Sequence, residues 1–133
     1  MKYLLDTDTC VYLIKRRPPQ VHEHLRRHRL SALGLSSIVV SELSWGVAKS
    51  GLQKNVEALD AFLAAFQVAA YDQAAAFVYG RLRADLERRG TLIGPLDMLI
   101  AAHALSLDLT LVTNNEREFK RVPGLRIENW TAA

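Results

Sequence analysis

The chain has 133 residues, half of them hydrophobic and 23% charged, with a formal net charge of +3. This composition predicts one folded domain over residues 1–133 and excludes a disordered chain, while the lone Cys10 excludes a disulfide scaffold. Unbroken apolar runs are as short as that of residues 61–66, and Asp6 interrupts the apolar N-terminal segment. We therefore expect a cytoplasmic protein without a membrane partner.

Short apolar runs alternate with helical patterns along the chain, and turn or polar residues separate them. The runs predict strands at residues 3–5, 34–37, 68–71, 110–113 and 125–127. The three- and four-residue repeats predict helices at residues 10–16, 19–29, 38–50, 56–66, 73–89 and 98–107, with a short helix ending near 121. We expect Asp72 to cap a helix and Gly51 and Gly90 to end one each. The alternation predicts an α/β fold with a parallel sheet covered on both faces.

Three carboxylates occupy positions that a solvated surface does not explain well. Asp6 ends the first strand, Glu42 lies on an otherwise apolar helix face, and Asp97 lies in the first turn of another helix. If they converge, each pair about 4 Å apart repels by roughly 4 kcal/mol, which a divalent cation would relieve. Oxygen ligands with few His or Cys favour Mg²⁺, with Mn²⁺ as a second candidate. Taken singly, each acid could instead cap a helix, meet a helix dipole or pair with an Arg.

The positive charge is concentrated in one segment. Residues 15–29 carry six Lys or Arg side chains against Glu23 alone, and Arg outnumbers Lys in the whole chain. Such a patch is typical of proteins that bind nucleic acid, and the guanidinium group can hold two phosphate oxygens. The candidates for contact with a nucleic-acid backbone are Arg16, Arg17, Arg26 and Arg27. A solvated helix face explains the same charges equally well.

Four further residues have a simpler structural explanation. His103 follows Asp97 on an apolar helix, and we expect a hydrogen-bonded histidine in the core or at its rim. We expect Trp45 and Trp130 to serve packing or an interface. Cys10 adjoins an apolar helix, which predicts an inert buried thiol.

Four sequence blocks together resemble the PIN-domain ribonucleases in order and spacing. They are residues 4–8 (LLDTD), 36–43 (SSIVVSEL), 94–104 (GPLDMLIAAHA) and 111–119 (LVTNNEREF). The set is similar to VapC, the toxin of type II VapBC toxin–antitoxin modules, and the similarity extends over nearly the whole chain. It implies a three-layer α/β/α sandwich around a mostly parallel sheet.

The resemblance also implies roles for individual residues. Asp6, Glu42 and Asp97 match the acidic triad of the family, which holds Mg²⁺. Asn115 stands where the family often has a further acid, so it is a candidate catalytic residue, with Glu118 just beyond it. Asp8 replaces the Asn that the family usually has there.

Thr7 and Thr113 match hydroxyls that line the family's site, and with Asp8 and Glu118 they are expected to orient ligands or substrate. The implied reaction is attack of water on an RNA phosphodiester, leaving a 5′-phosphate and a 3′-hydroxyl. The favoured substrate is a tRNA, cut in the anticodon loop of initiator tRNA. The resemblance further implies a homodimer bound by a VapB-type antitoxin, which could itself contact residues 15–29.

Two other interpretations remain open from the sequence. An Asp-x-Asp pair after an apolar strand also resembles the haloacid dehalogenase phosphatases, in which Asp6 would be a covalent nucleophile and Asp8 a general acid. That family expects Thr or Val at the position of Cys10, a later Lys and usually a longer chain. The second alternative is a PIN-like module that binds RNA without cleaving it.

Overall fold

The structure is a computed structural model, and it describes residues 1–132. The strands are β1 (Tyr3–Leu5), β2 (Leu33–Ser36), β3 (Gln67–Ala69), β4 (Thr110–Val112) and β5 (Ile127–Glu128). The helices are α1 (Thr7–Lys15), α2 (Pro19–Arg26), α3 (Ser37–Ser50), α4 (Gln53–Ala64), α5 (Gln73–Arg89), α6 (Pro95–Ser106) and α7 (Glu116–Phe119).

All five strands are parallel, in the order β3-β2-β1-β4-β5. Helices α1 to α4 pack among themselves, and α5 packs along α6. The chain moves outward from β1 to β3 and then returns to β4, so right-handed crossovers place these two helical groups on opposite faces. The predicted three-layer α/β/α sandwich is confirmed.

The strand order also locates the functional edge of the sheet. β1 lies between β2 and β4. The connection after β1 leads to β2 on one side, whereas the connection after β4 leads to β5 on the other side. In open α/β sheets, the crevice beyond the carboxyl ends of such strands is where ligands bind. Asp6 directly follows β1 and Thr113 directly follows β4.

The side chains on both faces of the sheet are buried, as is usual for a parallel sheet. Leu4, Leu35 and Leu111, on the three inner strands, are fully buried. Within residues 1–132, no helix combines the length and apolar character needed to cross a bilayer.

The structural expectations for the four isolated residues can be checked directly. Cys10 is fully buried, and burial raises the pKa of its thiol well above the usual range, which confirms an inert side chain. His103 is buried and shares a 2.8 Å hydrogen bond with the Ser36 hydroxyl, which confirms a core histidine. Trp130 is buried in the packing, whereas Trp45 is largely exposed.

Several helix ends follow the expected rules. The Asp72 carboxylate accepts a hydrogen bond from the Ala75 amide at the start of α5. Gly51 and Gly90 end α3 and α5 with φ of 66° and 67°, a conformation that glycine adopts without steric cost. The caps at Asp72, Gly51 and Gly90 are confirmed.

Other boundaries differ from the prediction, and long-range contacts explain the differences. Helix α1 begins at Thr7 rather than residue 10, and Asp6 makes no capping hydrogen bond there, because its carboxylate is turned towards Thr113. The last strand covers Ile127–Glu128 rather than residues 125–127, since pairing with Leu111 and Val112 determines its register. Helix α2 ends at Arg26 rather than residue 29.

Candidate active site at the carboxyl edge of the sheet

Asp6 lies at the centre of the crevice between β1 and β4. It is 5% exposed, and the Thr113 hydroxyl donates a 2.7 Å hydrogen bond to its Oδ2. Burial, and then the nearby charges of Asp8 and Glu42, raise the pKa of Asp6 to about 7, although the bond from Thr113 opposes the shift. The chain therefore holds a carboxylate where its charge is costly.

Glu42 reaches the same crevice from the second turn of α3. The helix begins at the Ser36 cap, where the Ile38 amide donates to the serine hydroxyl, and this start turns Glu42 towards β1. The Thr7 hydroxyl donates a 2.7 Å hydrogen bond to Glu42 Oε1 and so orients the carboxylate. This hydrogen bond therefore links Thr7 on α1 to Glu42 on α3.

Asp97 approaches from the first turn of α6, whose N-terminus opens at Gly94. Burial raises the pKa of Asp97 to about 8, with further contributions from a hydrogen bond to Glu118 and the charges of Asp6, Glu118 and Glu42. These interactions show that the three acids of the predicted triad lie within electrostatic reach of one another. The suggestion that each acid serves a separate local purpose is not supported.

Asn115 and Glu118 lie next to Thr113 and Asp97 in the site. The Asn115 side-chain amide donates a 3.1 Å hydrogen bond to Glu118 Oε2, and its backbone N–H donates to the Thr113 hydroxyl. A hydrogen bond from Asp97 lowers the pKa of Glu118 most, the bonds from the Asn115 side chain and the Gly94 amide and the charge of Arg121 lower it further, and burial opposes the shift. Glu118 thus supplies negative charge beside Asn115.

Gly94 is a contributor that the sequence analysis treated only as the start of a helix. A Cβ atom added at Gly94 would lie 3.3 Å from Asp97 Oδ2 and 3.9 Å from Glu118 Oε2. The absence of a side chain therefore leaves room for the Asp97 carboxylate, whereas a Cβ atom would make only an ordinary contact with Glu118. A glycine three residues before a candidate catalytic acid is the sequence signal that could have indicated this role.

Asp8 is bound into the loop network rather than free to act on a ligand. Its Oδ1 accepts a 2.6 Å hydrogen bond from the Thr9 amide, and its Oδ2 accepts a 3.1 Å bond from the Asn114 amide. Asp8 thereby ties the start of α1 to the loop after β4. The charge of Asp8 also raises the pKa of Asp6.

The donor set fits a hard divalent cation. Within residues 1–132, no Lys, Arg or His nitrogen lies within 4.0 Å of a carboxylate oxygen of Asp6, Glu42 or Asp97. In the same part of the chain, no three His, Cys, Asp or Glu side chains are close enough together to form a complete ligand cluster. Mg²⁺ needs only one or two carboxylates because it retains several waters, so oxygen ligands around a shared crevice suit it.

The four basic candidates are solvent-exposed, and within residues 1–132 none of them forms an ion pair with Asp6, Glu42 or Asp97. Arg16 and Arg17 follow the C-terminal end of α1, about 14 Å along the helix from the end next to Asp6. Arg26 and Arg27 lie at the C-terminal end of α2. The structure does not bring these four side chains into the acidic crevice.

A cleft of about 460 Å³ lies among α1, α3 and α4, and its lining includes Glu42 of the acidic triad but neither Asp6 nor Asp97. Thr7 and Glu42 line one end of it, and Trp45 lies on the same stretch of α3. The full lining consists of Thr7, Val11, Ile14, Lys15, Glu42, Leu43, Trp45, Gly46, Val47, Asn55, Ala58 and Leu59. Sequence analysis assigned Trp45 to packing or an interface, although its spacing of three residues from Glu42 indicates the same helix face.

The chain is similar to known proteins over nearly its full length. The PIN domain family model matches residues 3–125. The tRNA(fMet)-specific endonuclease VapC of Salmonella typhimurium is 43% identical over 131 residues, covering 98% of each chain. Ribonuclease VapC2 of Rickettsia felis is 43% identical over 132 residues, again covering 98% of each chain.

The fold agrees with solved structures of the same group. The toxin-like chain in the DNA-bound VapBC complex of Salmonella typhimurium superposes with a TM-score of 0.92 at 43% identity, covering 98% of each chain. The VapBC2 complex of Rickettsia felis, bound to a promoter DNA fragment, gives a TM-score of 0.89 at 42% identity, covering 98% of this chain and 99% of the other. The sequence and the fold agree, and this chain belongs to the PIN-domain family and, within it, to the VapC ribonucleases.

Proposed function

We propose that this chain is the toxin of a type II toxin–antitoxin module and acts as a Mg²⁺-dependent endoribonuclease, with Mn²⁺ as a possible substitute. The observation that carries the proposal is that Asp6, Glu42 and Asp97, from three different elements, lie close enough for their charges to act on one another, which contributes to the raised pKa values of Asp6 and Asp97. Because mutual repulsion of these acids destabilises the fold, their arrangement serves a bound cation rather than stability.

The side chains around the crevice can each be given a role. Asp6 and Asp97 would hold the cation, and Glu42 would position the attacking water and accept its proton. Thr7 orients Glu42, and Thr113 orients Asp6, through the two 2.7 Å hydrogen bonds. When bound, Mg²⁺ would polarise the phosphodiester and lower the pKa of the attacking water. Asn115 and Glu118 would complete the site beside Asp97.

The proposed substrate is a tRNA, with the anticodon loop of initiator tRNA as the favoured site. The support is the 43% identity, over 98% of both chains, to a Salmonella protein named as a tRNA(fMet)-specific endonuclease. A loop also presents unpaired bases, which are the usual targets of sequence-specific recognition in RNA. Since tRNA is a cytoplasmic substrate, we propose that the protein acts there.

The proposed partner is a VapB-type antitoxin, and the proposed assembly contains a homodimer of this chain. The support is the likeness to the VapBC complexes of Salmonella typhimurium and Rickettsia felis, with TM-scores of 0.92 and 0.89. Exposed apolar side chains, including Leu52 before α4 and Leu107 after α6, are available for such contacts.

Purified protein and induced expression test the proposal together. RNA from cells expressing the chain is mapped for new 5′ ends, and purified protein is incubated with initiator tRNA in Mg²⁺, Mn²⁺ or EDTA. We expect a metal-dependent cut in the anticodon loop. Asp6→Asn should abolish this cut, whereas Asp60→Asn, at an exposed position on α4, should leave it unchanged. Full cleavage by a folded Asp6→Asn protein would contradict the nuclease assignment. RNA binding without cleavage by the unmodified chain would instead support a non-catalytic module.

The phosphatase alternative receives no support from the geometry. A general acid must be free to donate a proton to the leaving group. Both carboxylate oxygens of Asp8 instead accept backbone hydrogen bonds, from Thr9 and Asn114.

A further inference from the structure

Trp45 occupies an unusual position for a tryptophan. Its side chain is 66% exposed, and within residues 1–132 its ring stacks on no other aromatic ring. The other tryptophan, Trp130, is 2% exposed and stacks on two histidines. Core packing therefore explains Trp130 but not Trp45.

The surroundings of Trp45 connect it to the acids. Trp45 follows Glu42 by three residues on α3, so their Cβ atoms are about 5–6 Å apart on one helix face. Both side chains line the same cleft, together with Thr7. A ligand held at Glu42 and extending along the cleft would therefore meet the indole ring next.

The cleft combines an apolar wall with positive charge near the aromatic ring. Val11, Ile14 and Val47 contribute apolar lining, and Lys15 contributes a cation on the α1 side. The Lys49 ammonium lies 5.0 Å from the centre of the Trp45 ring. A flat aromatic ligand that carries an anionic backbone matches this combination, since the ring can stack while the cations attract phosphate.

We propose that Trp45 is a stacking platform for one unpaired nucleobase of the RNA substrate, in the nucleotide next to the phosphate that is cut. The proposal deepens the ribonuclease function above and rests on it. It makes Trp45 a positioning residue, because stacking would hold the chain of the RNA in register with Asp6, Glu42 and Asp97. A protein segment could also cover an apolar cleft, but the cations beside the ring and the continuity with the acids favour RNA.

The probe is a synthetic stem–loop with the anticodon loop sequence of initiator tRNA, made also with single abasic positions across the loop. Cleavage rates are measured for the unmodified full chain, Trp45→Ala, Trp45→Phe and the control Phe77→Ala, whose side chain is 62% exposed on α5 outside the cleft. Stacking of one base predicts a rise in KM of about 5- to 150-fold for Trp45→Ala. Trp45→Phe retains a ring and is expected to lose far less, and Phe77→Ala is expected to match the unmodified chain.

The abasic series identifies the effect as stacking. At one loop position, removing the base should weaken cleavage by the unmodified chain and leave Trp45→Ala no worse than before. A Trp45→Ala protein with unchanged KM, or with the same deficit at every abasic position, would overturn the proposal. Normal RNA kinetics combined with a weakened complex with a co-expressed antitoxin would overturn it too, and would assign Trp45 to a protein interface.

A binding measurement separates this proposal from the ribonuclease function. In EDTA, where no cleavage is expected, the stem–loop should quench tryptophan fluorescence of the unmodified chain but not of Trp45→Phe, which keeps only Trp130. Quenching without cleavage in Mg²⁺ would contradict the ribonuclease function and support the stacking site. Cleavage without any quenching would contradict the stacking site alone.

Discussion

The Thr113 hydroxyl donates a 2.7 Å hydrogen bond to the carboxylate of Asp6, although 107 residues separate them in the chain. The same hydroxyl accepts a hydrogen bond from the Asn115 amide, so its proton is directed to Asp6. Parallel pairing of β1 with β4 makes this contact possible, because both strands end at the same edge of the sheet. The bond keeps a buried carboxylate ionisable and oriented.

Replacing Thr113 by Val should therefore lower the rate of RNA cleavage. A hydrogen bond to a charged group contributes about 1.5–3 kcal/mol, so the expected loss is about 10- to 100-fold, with a higher Mg²⁺ requirement. Thr113→Ser keeps the donor and should retain most of the activity. Cleavage kinetics across a Mg²⁺ series measure the effect, and equal activity of the Val and Ser variants would contradict this role.

Removal of either of the other two acids should abolish turnover without unfolding the protein. Glu42→Gln and Asp97→Asn are expected to lower kcat by at least about 100-fold and to change KM little, because a cation stabilises the transition state most. Single-turnover cleavage and circular dichroism test this expectation. The exposed Asp60→Asn serves as the matched acid-to-amide control.

The metal-free protein should become less stable as the pH rises. Asp6 and Asp97 have pKa values of about 7 and about 8 in the folded protein, above the ordinary value of 3.8. The folded protein therefore keeps protons that the unfolded chain releases, so the contribution to stability is complete below about pH 4 and is lost as the pH rises through 7 and 8.

Thermal unfolding in EDTA between pH 5 and pH 9 measures this effect. We expect the midpoint to fall by several degrees over that range. Mg²⁺ should reduce the fall because it binds the folded state, and Asp6→Asn should flatten the curve because it removes one titrating group. A midpoint that rises or stays constant with pH in EDTA would show that the pKa values of Asp6 and Asp97 are not raised in the folded protein.

The basic residues at the ends of α1 and α2 should affect RNA affinity through phosphate contacts if they bind the substrate. For single strands, each lost phosphate contact should reduce the slope of log K against log salt by about 0.7. Arg26→Gln with Arg27→Gln, and Arg16→Gln with Arg17→Gln, are compared in a binding assay over a salt series. Arg83→Gln is the control, since Arg83 pairs with Glu87 on α5. An unchanged slope in both double variants would show that these residues do not contact RNA phosphates and face solvent or the antitoxin instead.

The two tryptophans should differ sharply in their effect on stability. Trp130 is buried between β5 and α2, where it stacks on His24 and His28 and donates to Glu128, so Trp130→Ala should cost about 3–5 kcal/mol. Trp45 is exposed, and Trp45→Ala should change the free energy of unfolding by less than about 0.5 kcal/mol. Urea unfolding of both variants measures the difference. A large loss for Trp45→Ala would mean that its ring is part of the packing.

Local patterns predicted much of the fold. The five short apolar runs and the intervening helical repeats are present, and the turns at Gly51 and Gly90 and the cap at Asp72 lie where the sequence indicates. These features depend on backbone preferences and on burial within a few residues. A local cap was only the alternative interpretation of Asp6, and its bond to the distant Thr113 takes the place of that cap.

The amino-acid sequence by itself determined the α/β alternation and which acids stand where an apolar element meets a polar one. Only the tertiary structure decided that Gly94 makes room for Asp97, and that Trp45 lies exposed in a cleft shared with Glu42. It also decided that Arg16 and Arg17 lie apart from the acids. The physical reason is that periodicity reports which face of an element is apolar, whereas distances between elements follow from strand order and helix packing. Those contacts join residues far apart in the chain, so no local pattern encodes them.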